Sequence, residues 1–267
     1  MNKNFFLALY DTIVSPTPSQ KIQLFNTLYK KFLDNQLSVT SLDTIEVFTK
    51  PSYSSFCKIV DPKKVPKRKN IGTPQGQIIL LHSIAHIEYN AIDLALDACY
   101  RFQNMPIQFY KDWLEVANDE IRHFNLVVEL LEQYGVKYGD IEVHQGLFDA
   151  SAKTLDLIPR MALIPRYMEA NGLDANLMII NKLKKIPNTQ KITDLLQIIL
   201  DEEIDHVKKG DYWYKWGCSK KENFSCDYFK IVNDIYPNSF NTKKIINKDA
   251  RIKAGFSEDE ISKLISF

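Results

Sequence analysis

The stretch Asn118–Leu131, NDEIRHFNLVVELL, settles which fold the chain can adopt. Trp113, Val116, Ala117, Val127 and Leu130 recur at spacings of three and four, which marks the apolar stripe of a helix. Glu120 and His123 fall on that same stripe. A lone carboxylate taken out of water costs several kcal/mol unless something compensates it. Either the rest of the chain supplies a partner, or this face is wet.

The same conflict appears three more times along the chain. Leu81, Ile84, Ala85, Ala91, Ile92 and Ala95 surround Glu88; Leu155, Ile158, Ala162 and Pro165 lead to Glu169; and Ile192, Leu196, Ile199 and Val207 surround Glu203 and His206. The periodicity predicts four long helices, over 77–101, 107–134, 149–171 and 190–216. Pro159 and Pro165 each remove an amide donor, so the third helix should be kinked or interrupted. Arg160 and Arg166 beside them read first as structural partners of acids.

The order is Glu88, then Glu120-x-x-His123, then Glu169, then Glu203-x-x-His206, and both members of the Glu-x-x-His pair recur after 83 residues. A helix-pair unit is thus repeated twice. Residues three apart project from nearly one side of a helix, so each pair can offer an oxygen and a nitrogen to one centre. A single Glu-x-x-His is weak, because exposed helices contain it by chance. Two copies with matching lone acids are a pattern. Four carboxylates buried together would repel one another and take up protons unless two divalent cations cancelled their charge. Carboxylate-rich sites with one imidazole per metal suit iron first and manganese second. A Glu from each of two helices with Glu-x-x-His from two others is the ligand set of a ferritin-like four-helix bundle.

These residues resemble the ferritin-like superfamily of dimetal-carboxylate proteins. More closely, HSIAHIEYNAIDLALD, FYKDWLEVANDEIRHF, RMALIPRYMEANGLD, ILDEEIDHV and DARIKAGFSEDEI resemble a bacterial ferritin-like family of unassigned function, over about residues 60–262. The pentapeptide DEIRH is also similar to the second-helix motif of di-iron oxygenases. That likeness implies that Asp119 and Arg122 steady the ligating imidazole. Asp205 stands where Arg122 would, so the two halves of the site need not be equivalent. His86 and Tyr167 are further candidates for a supporting role near the metals. His82 and His144 read as structural, as does most of the helical aromatic set.

Composition bounds the rest. The 267 residues are 45% hydrophobic, with 34 basic against 33 acidic side chains, so a packed core is within reach and no general field attracts polyanions. The basic segment PKKVPKRKNIGTPQG, residues 62–76, carries three prolines and two glycines and reads as an exposed connector. It is the only support for a nucleic-acid partner, which is not expected. The apolar run from Phe5 to Tyr10 is stopped by Asp11 and reads as a short helix rather than a leader. No run reaches the ~20 residues of a membrane span. Cys57, Cys99, Cys218 and Cys226 form no CxxC pair, which fits buried thiols in a reducing, cytoplasmic setting, with a Cys218–Cys226 disulfide as the lesser alternative.

The expected architecture is all-α: an N-terminal helical extension over 1–70, a dimetal bundle over 71–218, and a C-terminal extension over 219–267 packed back on it. Ser257 with Glu260 should start its last helix as a capping box. The expected activity is an oxygen- or peroxide-dependent oxidoreductase in which the metal centre itself is the catalyst. It would need a small-molecule substrate and an electron donor, with a homodimer allowed. Ferroxidase or iron handling is the second reading, and a metal-stabilised scaffold the third. The long additions on either side of the bundle argue against a storage cage.

Overall fold

The computed structural model describes residues 3–221, 226–241 and 245–267. The few remaining positions of the expected extensions, 1–2, 222–225 and 242–244, lie outside the described residues. The chain divides into two compact units, Met1–Ala152 and Lys153–Phe267. The division separates the two repeats: Glu88, Glu120 and His123 fall in the first unit and Glu169, Glu203 and His206 in the second. Every element is helical, and the described residues contain no strand, only the isolated bridges Asn4–Ser38 and Ile59–Val143.

In the first unit, α1 (Phe5–Ile13) is capped by the Asn4 side chain, and α2 (Pro18–Leu33) starts at Thr17 with proline in its first turn. The run expected to be a short helix is therefore one, held by Phe5 and Phe6 edge-on against Tyr110 at 5.4 and 5.6 Å. After a short helical turn at Ser52–Ser55 come α3 (Pro74–Arg101) and α4 (Ile107–Glu132), two long helices joined by five residues and hence antiparallel. Thr73 caps α3, and both helices match the expected ranges to within three residues. The short α5 (Gly146–Ala152) ends the unit. Lys21 is fully buried: its ammonium donates to the Ile13 carbonyl at 2.8 Å and pairs with Asp93 on α3. That pair fastens α1 and α2 to α3.

In the second unit the third helix is interrupted, as expected, though not at Pro159. Residues 149–171 are not one kinked helix. The chain breaks at 153–156, restarts as α6 (Leu157–Leu163), widens into a π-helical turn at Ile164–Glu169, and runs on as α7 (Ala170–Leu183). Pro159 lies in the first turn of α6, where its missing N–H is no loss, so it interrupts nothing. Pro165 lies in the π turn, where the i→i−4 ladder is already broken. The length of α7 was hidden by Asn171, Gly172 and Asn176, weak helix formers on a segment that nevertheless buries Leu173, Ile180 and Leu183.

The long α8 (Gln190–Ser219) packs along this track. Gly210 makes the close approach possible, since a Cβ there would lie 2.2 Å from the Pro165 ring. The tail folds back as expected, through α9 (Tyr228–Ile235), α10 (Lys248–Lys253) and α11 (Glu258–Ser266). Ser257 and Glu260 form the capping box. Glu260 also reaches Arg166 at 2.8 Å, and the fully buried Arg166 meets Asp211 at 2.9 Å between the rings of Tyr214, Tyr228 and Phe256. Arg251 binds Asp174 at 2.6 Å in the same way. Arg160 instead donates to the carbonyl and hydroxyl of Thr154.

One cysteine expectation is overturned. Cys218 and Cys226 form a disulfide, while Cys57 and Cys99 are the expected buried thiols. Seven intervening residues close a loop short enough to bring the Cα atoms to 6.0 Å, a proximity that the absence of a CxxC motif does not preclude. The bond removes one ground for expecting a reducing compartment. Among the described residues, no helix is long and apolar enough to cross a membrane.

Candidate metal centre

In the first unit α3 presents Glu88 and α4 presents Glu120 and His123 to a common interior. All three are buried, with His123 at 0% exposure. The His123 Nδ1 lies 3.3 Å from a Glu88 oxygen and 3.6 Å from a Glu120 oxygen. One donor atom from each residue lies within 4.8 Å of the others. Metal–oxygen and metal–nitrogen bonds of about 2.1 Å span donors up to about 4.2 Å apart, so small side-chain rotations bring this set onto one ion. The buried Glu/His group could hold a metal ion.

The electrostatics state what the group needs. Burial alone would push the His123 imidazole down, but hydrogen bonds and Coulomb attraction from Glu120 and Glu88 outweigh it and hold its pKa up at about 11. Two carboxylates thus draw a positive charge into the interior, and a bound proton on His123 supplies it. A divalent cation supplies more charge at the same place and needs the imidazole neutral, so ion and proton compete for Nδ1.

The second unit repeats the motif on α8. His206 is fully buried and its Nδ1 lies 3.5 Å from a Glu203 oxygen, with Glu203 itself almost buried. Glu169 is the last residue of the π turn, half-buried. Such turns often mark functional positions, because the extra residue re-aims the side chains beyond it.

The other sequence candidates have identifiable partners. Arg122 lies 3.7 Å from Asp119, one turn away on the same helix, with both partly exposed. Asp205 is exposed and pairs with Lys209 at 2.7 Å. The Tyr167 hydroxyl donates to the Ser239 carbonyl, tying the π turn to the tail. His86 uses both ring nitrogens on the loop after α4: Nε2 donates to the His144 carbonyl at 2.8 Å, so Nδ1 accepts from the Tyr138 hydroxyl at 2.9 Å. His82 Nε2 accepts from the amides of Gly139 and Ile141. Burial pushes both imidazoles down to about 4, so both stay neutral.

Sequence reading missed this arrangement, in which His144 belongs to the same cluster. The signal was present. His82, His86 and Asn90 repeat every fourth residue along α3, a polar ladder on the side turned away from Glu88.

Comparison with known proteins extends the likeness toward the N-terminus, beyond the residues 60–262 that the sequence motifs covered. A protein from Haemophilus influenzae described as uncharacterized is 37% identical over 270 residues, covering 96% of this chain and 92% of its own. No solved structure matches. The family model described as "Protein of unknown function (DUF455)" matches residues 14–262, more than nine-tenths of the chain, and the chain belongs to that family.

Proposed function

We propose that Glu88, Glu120 and His123 of the first unit, with Glu169, Glu203 and His206 of the second, hold two divalent metal ions in a ferritin-like arrangement. On this reading the protein is an oxygen- or peroxide-dependent oxidoreductase. The supporting observation is the buried three-donor group on α3 and α4, together with the same residue pattern on the π turn and α8. Iron fits the donor set best and manganese next.

When bound, the ions would supply Lewis acidity and one-electron chemistry. The chain's own residues do the rest. His123 would give up the proton that Glu120 and Glu88 hold on it, and His123 and His206 would each offer Nδ1. Glu88 and Glu120 would hold a cation's charge in place of that proton's. The apolar side chains around them, Ile84, Ile92, Val116 and Val127, exclude water, which strengthens every charge interaction inside. The substrate would be a small molecule, with an external electron donor. No separate side-chain base is assigned.

Dioxygen uptake by the reduced, iron-loaded chain tests the reading. Wild type should consume dioxygen, and Glu203→Ala should lose most of that uptake while remaining folded by circular dichroism. Equal uptake by wild type, the variant and free ferrous iron would reject the oxidoreductase reading.

A further inference from the structure

The face of α3 turned away from Glu88 borders a partly open cavity of about 310 Å³, lined also by the connector 62–68 and the loop 141–147. That volume lies within the range of small-molecule sites. Three of the chain's five histidines line it, His82, His86 and His144, together with Lys67 and Arg68 of the connector.

The polar groups that remain available there are donors. His82 and His86 are committed to the loop backbone and Tyr138. The Asn90 amide donates to the His86 carbonyl. His144 differs: its Nδ1 accepts the Gly146 amide at 3.0 Å, which places its proton on Nε2. That N–H has no hydrogen-bond partner among the described residues. Lys67 and Arg68 likewise have no ion-pair partner among the described residues, and both are exposed. Glu142 is the one acid on the rim, and Lys58 offsets it at 2.5 Å. Burial and the neighbouring Arg68 charge push the His144 ring down, so it is a neutral donor. Val65, Ile79 and the 42%-exposed Ile87 give the cavity an apolar wall.

We infer that this cavity binds a small anion with an apolar body, its carboxylate or phosphate held by Arg68, Lys67 and the His144 Nε2–H, its body against Val65, Ile79 and Ile87. A rim whose unpaired groups are donors and whose one acid is offset by Lys58, beside an apolar wall, selects such a ligand over a neutral or cationic one. The site lies wholly within the first unit and does not depend on the metal reading.

Histidine-ring NMR of the full-length chain tests this, with phenyl phosphate, benzoate, inorganic phosphate and benzyl alcohol as probes. Phenyl phosphate or benzoate should shift the His144 ring saturably, and whichever binds more tightly tells phosphate from carboxylate. Inorganic phosphate should bind more weakly for want of the apolar body. The double variant Lys67→Ala, Arg68→Ala, confined to an exposed connector, should weaken the tighter probe by about tenfold or more. No saturable shift with either aryl anion overturns the inference. So does binding that the double variant leaves unchanged, or that benzyl alcohol matches.

Discussion

His82 shows how a single side chain can govern the response of the molecule to acid. It is 2% exposed, and both loop amides point at its unprotonated nitrogen, so the folded state resists the proton that the unfolded chain accepts. Its pKa falls to about 4 from an ordinary value of 6.5. The unfolded state therefore binds more protons between those values, and stability drops as pH falls from about 6.5 to about 4. The loss should approach 3 kcal/mol for this residue, about 1.4 kcal/mol for each pH interval of one. Urea unfolding of wild type and His82→Gln at pH 7 and pH 4.5 checks it: wild type should lose more stability than the variant. Equal losses would contradict the assignment. The six acids and imidazoles of the metal reading were visible in sequence because each violates an apolar stripe. The His82–His86–Asn90 ladder violates none. Its spacing was visible, but most of its partners are backbone atoms of a loop, which residue type does not reveal.

Among the helices, α3, α4 and α8 were legible because of their long apolar periodicity, while the Thr73–Pro74 start of α3 was read into the connector. The track from Leu157 to Leu183 was not, since two prolines argue for a break and the structure answers with a first-turn position and a π turn. The cost of that geometry appears on the opposite helix. A Cβ on Gly210 would lie 2.4 Å or less from two Pro165 ring atoms, and the ring has no flexible end to give way. Gly210→Ala would normally strengthen a helix by about 1 kcal/mol. Here it should instead destabilise by about 1–3 kcal/mol, the range of an overpacked core. Chemical denaturation measures the sign, and a stabilised variant would show that α8 and the π turn are not in contact as described. Overpacking should also push the π turn and its Glu169 away from α8.

For the molecule as a whole, the boundary between units falls between the two sequence repeats, so each unit carries one lone acid and one Glu-x-x-His. The expected extensions are parts of these units: α1 and α2 are fastened by Lys21 and Asp93 to the first, and the tail by Arg166, Glu260, Arg251 and Asp174 to the second. The tail motif DARIKAGFSEDEI is thus accounted for by packing rather than chemistry. The Cys218–Cys226 bond joins the end of α8 to the start of that tail. Removing it in a double serine variant should cost about 2–3 kcal/mol, the loop-closure contribution for so short a loop. A loss of that size on adding reductant to wild type, absent in the variant, would confirm that the bond forms in solution.

The metal reading requires that cations neutralise the buried Glu88, Glu120 and His123 group and its counterpart in the second unit. Metal counting after anaerobic loading with ferrous iron, in wild type and Glu120→Ala, puts that requirement to the test. About two ions per wild-type chain are expected, the complement of this ligand set, with a clear loss in the variant. Fewer than one ion per chain, or a count the substitution leaves unchanged, would contradict it.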